Sequence, residues 1–187
     1  MLTIGNLKSD RITTITNTTW AEYIALDLPC KRISFRNGVI TIVSPGRNHE
    51  MIGDYIRAII WAYCRKNSLP LFPYNQTTLK EEGKEGKEPD VAYCFGTDKD
   101  KPDLAVEVNL TSGSIDDLTK YQYLKIAEVW LWEQNRIRFF VYQASGYLEL
   151  TTSNVLNGSL STETEGAFSE GIFPPKSRPS ESAPVRS

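Results

Sequence analysis

Residues 88–121 read EPDVAYCFGTDKDKPDLAVEVNLTSGSIDDLTKY. Two apolar runs in this stretch, VAYCF and LAVEVNL, have the length and side-chain character of buried strands. The loop between them, GTDKDKP, has the composition of a hairpin connection. Carboxylates sit within or beside both runs, and Glu107 is the sharpest case, flanked by Val106 and Val108. An ionisable group placed there costs roughly several kcal/mol unless it is paired, neutralised or bound to a metal. Acids of this kind concentrate at functional sites.

Strand geometry selects the partner of Glu107. Alternation puts Asp103, Ala105, Glu107 and Asn109 on one face and Leu104, Val106, Val108 and Leu110 on the other. Asp103 is about 13 Å away along the same strand, too far to grip the same small ion. Asp90 is a better candidate. Folding the hairpin about a centre between residues 98 and 99 sets Asp90 opposite Glu107, where paired Cβ atoms stand about 4.5 to 5.5 Å apart. A slip of one residue would turn the two acids to opposite faces. Two such carboxylates suit Mg²⁺ or Mn²⁺, with water and phosphate oxygens completing the shell. That ion can activate water and neutralise charge on a phosphodiester. The structural alternative is that Asp90 merely opens a strand after Pro89 while Glu107 pairs with a nearby lysine or arginine.

A helix is expected from Asn48 through Tyr63, where Ile52, Tyr55, Ile56, Ile59 and Tyr63 recur at helical spacing and Asn48 can cap the start. Glu50 lies in its first turn, where the helix dipole alone would stabilise it. His49, the single histidine, is expected on that turn's surface or behind the site rather than as a ligand or base. One histidine cannot build a multi-histidine zinc site. A second helix is expected over residues 114–126, with Ser114 and Asp117 as a cap and Leu118, Tyr121 and Leu124 as apolar anchors. The Thr19-x-x-Glu22 pattern opens a short helix through about Leu26, and RISFRNGVITIV forms a hairpin about Asn37-Gly38. Glu128 to Trp132, Ile137 to Gln143 and Tyr147 to Thr151 read as a three-stranded meander, with Trp130 and Trp132 packing on one face.

Pro89-Asp90 followed by Glu107-Val108-Asn109 resembles the Asp and Glu-x-Lys signature of the PD-(D/E)xK nuclease superfamily. More narrowly, His49-Glu50, EPDV at 88–91, PDLAVEV at 102–108, TSGS at 111–114 and YQYLKIAEVW at 121–130 resemble the Uma-type putative restriction endonuclease family, over residues 20–150. The resemblance implies an α/β (α+β) fold: a restriction-endonuclease-like core with a central mixed sheet flanked by helices, preceded by the N-terminal helix and hairpin. It also implies an endonuclease that hydrolyses DNA phosphodiester bonds with Mg²⁺ or Mn²⁺, often as a homodimer. Asp90 and Glu107 would be its ligands, with a backbone carbonyl near Val108 and Glu50 as a direct or water-mediated ligand. One departure matters. The superfamily's lysine sits two residues after the glutamate, where this chain has Asn109, and an amide supplies no positive charge. In the resembling family a lysine on the following helix serves instead, which points to Lys120. Its structural alternative is an i,i+4 ion pair with Asp116 on a solvated face.

At 187 residues with 40% hydrophobic content the chain can bury one sizeable core. The expected division is a nuclease-like domain over residues 1–152 and a Ser-, Gly- and Pro-rich tail over residues 153–187, docked in part through residues 168–173. Cys30, Cys64 and Cys94 are odd in number and lack CxxC spacing, which fits structural thiols in a reducing cytoplasm. No signal peptide or membrane span is expected. The net charge of −2 predicts weak, salt-sensitive binding to DNA. The basic residues of 80–87 alternate with acids and read as a solvated loop. This charge balance, together with Asn109, also admits a second reading: a catalytically inactive nuclease fold acting as a binding or assembly module through dimerisation.

Overall fold

The computed structural model describes residues 10–29, 31–74, 78–110 and 114–157, with the backbone alone for 114–117. Its elements run β1 (Arg11–Ile15), α1 (Trp20–Ala25), β2 (Arg32–Arg36), β3 (Val39–Ser44), α2 (Arg47–Lys66), β4 (Leu71–Pro73), β5 (Leu79–Glu81), β6 (Glu85–Lys87), β7 (Val91–Phe95), β8 (Leu104–Val108), α3 (Ser114–Leu124), β9 (Glu128–Glu133), β10 (Arg136–Gln143) and β11 (Gly146–Leu150). The strands form two sheets. One has the order β1-β3-β2-β6-β5 and the other β11-β10-β9-β8-β7-β4.

The six-stranded sheet is the expected mixed core. Its single parallel pairing, β8 with β9, is bridged by α3, whereas the other neighbours run antiparallel. Helices cover both faces, as the continuous apolar strands require. Ile52, Ile56 and Ile60 of α2 pack with Val91, Tyr93, Leu104, Val106, Val108, Trp130 and Trp132. Tyr121 and Leu124 of α3 pack with Ala105, Val129 and Leu131 on the opposite face. The two faces of β8 divide as strand alternation dictates. The expected meander is present as β9, β10 and β11, and Trp130 and Trp132 serve the core.

The smaller sheet carries α1 and a third cluster formed by Tyr23, Ile33, Phe35 and Ile40. Thr19 and Glu22 close the expected capping box, with the Glu22 amide donating to Thr19 Oγ1 and the Thr19 amide to Glu22 Oε2. The β2–β3 hairpin turns at Asn37-Gly38, where both residues have the positive φ that a type I′ turn needs. At Gly86 a side chain is forbidden by contact. A Cβ there would lie 2.3 Å from the Tyr23 ring, so glycine is what lets α1 press onto β6.

Several elements differ from the sequence reading. Helix α2 starts at Arg47 with Gly46 as its cap, not Asn48, because Asp10 accepts the Gly46 amide and fixes the chain two residues earlier. Strands β1, β4, β5 and β6 were not anticipated. Residues 85–87 form a fully buried strand rather than part of a solvated loop. Beyond β11, Leu156 is buried in the main core. Its neighbours Asn154 and Val155 donate their amides to buried Glu128. The contact expected for residues 168–173 lies outside the described residues, as do Cys30 and residues 111–113. No described helix is long and apolar enough to cross a membrane.

Candidate active site

The chain leaves the smaller sheet at Lys87 and enters the larger one at Val91. Only Glu88, Pro89 and Asp90 lie between, so this crossing places the Lys87 and Asp90 side chains at the seam of the two sheets. Glu88 ties the crossing down, accepting from Thr78 Oγ1 at 3.1 Å and from the Ile33 amide at 3.4 Å. Arg57 of α2 donates to the Asp90 carbonyl at 2.8 Å.

Strands β7 and β8 pair Val91 with Val106, Ala92 with Ala105 and Tyr93 with Leu104. That register has the hairpin centre expected between residues 98 and 99; Asp90 lies one residue ahead of its first pair and Glu107 one residue beyond Val106. Both acids are buried, at 7% and 5% exposure. Such burial requires compensation, and each carboxylate has its own.

Asp90 Oδ2 accepts the Val108 amide at 2.9 Å. Its Oδ1 faces His49 Nε2 at 2.9 Å and Arg32 Nε at 3.4 Å, two ion-pair contacts that fall short of well-aligned hydrogen bonds. Burial pushes the Asp90 carboxyl up. The His49 contact and charge, the Val108 amide and the Lys87 charge outweigh it and hold the group below the usual carboxylate range. His49 itself lies between two acids, since its Nδ1 donates to Asp10 at 2.9 Å. Burial opposes its protonation, but Asp90 and then Asp10 prevail and raise its pKa to about 9. The histidine is therefore a buried imidazolium at neutral pH.

Glu107 is held from the other side. Lys87 Nζ donates to Oε2 at 3.0 Å, and the Tyr121 hydroxyl of α3 donates to Oε1. The ammonium also stands 5.8 Å from the centre of the Tyr121 ring, within reach of a cation–π contact. The Lys87 head group thus touches one acid directly and bears on the other through its field.

The remaining sequence candidates sit around this pair. Glu50 lies in the first turn of α2 with its side chain 48% exposed, and it reaches the site through Arg32, whose Nη2 is 3.9 Å away. Arg32 stands between Glu50 and Asp90. Val108 contributes its amide to Asp90. Lys120 is half-buried on α3, adjacent in sequence to Tyr121. Asn109 continues the β8–β9 ladder by donating its amide to the Trp132 carbonyl, and its buried Nδ2 has no hydrogen-bond partner among the described residues.

Sequence reasoning missed Lys87, Arg32, Asp10 and the hydroxyl role of Tyr121, which it read only as an apolar anchor. No local signal marked Lys87, because Gly86-Lys87 repeats the Gly83-Lys84 pair, whose lysine is exposed.

Among the described residues no three His, Cys, Asp or Glu side chains converge as a metal cluster. Asp90 and Glu107 have the donor chemistry for Mg²⁺ or Mn²⁺, because magnesium is commonly held by one or two carboxylates with water and phosphate oxygens. Lys87 at 3.0 Å from Glu107 Oε2 shows that this carboxylate already accepts a cation.

A solved structure described as a putative nuclease belonging to DUF820, from Anabaena variabilis, is similar to this chain with a TM-score of 0.56 and 13% identity. The match covers 80% of this chain and 98% of that one, and at such identity it speaks for the fold. No curated protein matches. The family model described as Uma2, putative restriction endonuclease, matches residues 20–171. A match over that much of the sequence means that the chain belongs to the Uma2 family of putative restriction endonucleases.

Proposed function

We propose that this protein is a metal-dependent endonuclease that hydrolyses DNA phosphodiester bonds at the Asp90–Glu107 pair. What supports the reading is the burial of two acids at neighbouring strands, Asp90 just ahead of the β7–β8 ladder and Glu107 within β8. Each is surrounded by cations or donors rather than left to lose its charge. Asp90 and Glu107 would hold Mg²⁺ or Mn²⁺, with the carbonyl near Val108 and, through water, Glu50 completing the protein's share. When bound, the ion withdraws charge from a phosphate oxygen and acidifies water.

The chain's own residues do the positioning. The Val108 amide and His49 fix the Asp90 carboxylate, while Tyr121 orients Glu107. Arg32 brings a fixed positive charge beside Asp90, suited to a phosphate oxygen. Lys120 on α3 would assist by orienting the phosphate or the attacking water. A pair of subunits would deliver a double-strand cut. With an overall charge of −2, substrate binding should be weak and salt-sensitive.

The test is incubation of purified protein with supercoiled and linear DNA in Mg²⁺ or Mn²⁺. Wild type should cleave, and Asp90→Ala should lose about 100-fold or more in rate, the scale for removing one essential electrostatic group. Cleavage that survives this substitution rules out the site. If wild type neither cleaves nor binds a divalent ion, the assembly-module reading is favoured, on the strength of Asn109.

A further inference from the structure

We propose that Lys87 is a catalytic residue of this site, supplying from β6 the positive charge that Asn109 cannot supply from β8. The inference rests on the nuclease reading above.

Three observations carry it. Lys87 is 8% exposed, and lysine is almost never buried without a reason. Its ammonium is 3.0 Å from Glu107 Oε2 and faces the Tyr121 ring. Asn109 follows Glu107 by two residues, immediately past β8, and its buried Nδ2 lacks a hydrogen-bond partner among the described residues. The strand position where a lysine would reach these carboxylates is thus occupied by an uncharged amide. The neighbouring sheet delivers a lysine to the same acid instead.

Gly86 makes this delivery possible. Without a Cβ it lets Tyr23 pack against β6, the strand in which Lys87 pairs with Ser34. An ammonium carries three N–H donors, and its bond to Glu107 fixes where the head group sits. In the hydrolysis, a water oxygen bonds to phosphorus as the bond from phosphorus to the leaving sugar oxygen breaks. The water's proton passes to solvent, and the leaving oxygen takes one from solvent. Lys87 stays protonated throughout. Its charge stabilises the extra negative charge on the phosphorus oxygens at the transition state.

The experiment compares wild type, D90A, K87M and K87M/N109K for single-turnover DNA cleavage in Mg²⁺. Mn²⁺ binding is followed in parallel by electron paramagnetic resonance. The expected result is that K87M cleaves about 100-fold more slowly than wild type while still binding Mn²⁺, and that adding N109K restores at least about tenfold. Restoration from a different strand is a readout that a purely structural lysine would not give.

If K87M cleaves within about threefold of wild type while D90A is inactive, the Lys87 inference is overturned and the nuclease reading stands. Loss in K87M together with lost Mn²⁺ binding, unrepaired by N109K, also overturns it. Should K87M fail to fold, the double variant decides, because it returns a cation to the buried carboxylate. A folded K87M/N109K as slow as D90A refutes the proposal, and one approaching wild type supports it. Wild type that does not cleave with either metal removes the nuclease reading and Lys87's role with it.

Discussion

Raising the pH should unlock His49 before it affects the rest of the core. The perturbation is a titration from pH 6 to pH 9.5 in excess EDTA, comparing wild type with His49→Gln. His49 sits between Asp10 and Asp90, and its pKa is raised from 6.5 to about 9 in the folded chain. A group whose folded pKa is raised contributes fully below its unfolded value and loses that contribution as pH climbs through the folded one. His49 should therefore stabilise the fold fully below pH 6.5, progressively less up to about 9, and scarcely at all above. At 1.36 kcal/mol per unit, the shift is worth about 3 kcal/mol. That is a large share of a typical domain's stability.

Urea unfolding followed by tryptophan fluorescence measures the quantity directly. Near pH 6, His49→Gln should be less stable than wild type by about 3 kcal/mol, and the gap should close by pH 9.5. Burial also raises the Cys64, Cys94 and Tyr23 pKa values. Those groups cost stability only as pH passes their unfolded values, and they are common to both proteins, so the difference isolates His49. Two curves that stay parallel from pH 6 to pH 9.5 would refute the buried imidazolium.

Two further expectations concern the scaffold. Gly86→Ala should overpack against the Tyr23 ring and lower stability by about 1–3 kcal/mol, read as a drop in thermal midpoint; an unchanged midpoint would mean that α1 does not press on β6 as described. Glu128→Gln should cost about 1–3 kcal/mol by weakening bonds to Trp130 Nε1 and the Asn154 and Val155 amides. Hydrogen exchange should then accelerate at residues 154 and 155 ahead of the central sheet, and uniform protection would count against this anchoring.

What the sequence revealed about the fold was local. The register of β7 on β8 was legible because a hairpin's loop length fixes it, and period-two alternation divided the faces of β8. The β2–β3 turn was legible because Asn-Gly suits the positive φ it needs. The meander was legible because its strands are apolar and closely connected. Strands β4, β5 and β6 have three residues each, too few to show a period. Strand β1 is polar and exposed at the edge of its sheet, defined only by pairing with β3. None of these carries an inward pattern that could be read before its partner is known.

Lys87 shows the same limit at the level of chemistry. In KEEGKEGKE, alternating charge is the ordinary mark of a solvated segment, and nothing nearby in sequence distinguishes Lys87 from Lys80 or Lys84. The distinction comes from three long-range contacts: the Ser34 pairing that recruits residue 87 into the smaller sheet, the Tyr23 ring over Gly86, and Glu107 from the larger sheet. Lys84 instead lies in the turn before β6, exposed beside Glu81. Two lysines three residues apart thus differ in burial because one reaches a carboxylate of another sheet and the other meets solvent. His49, expected either on the surface or behind the site, takes the second place. Its helix turn left both open, and Asp10 and Asp90, both outside that turn, make its charge tolerable in the interior.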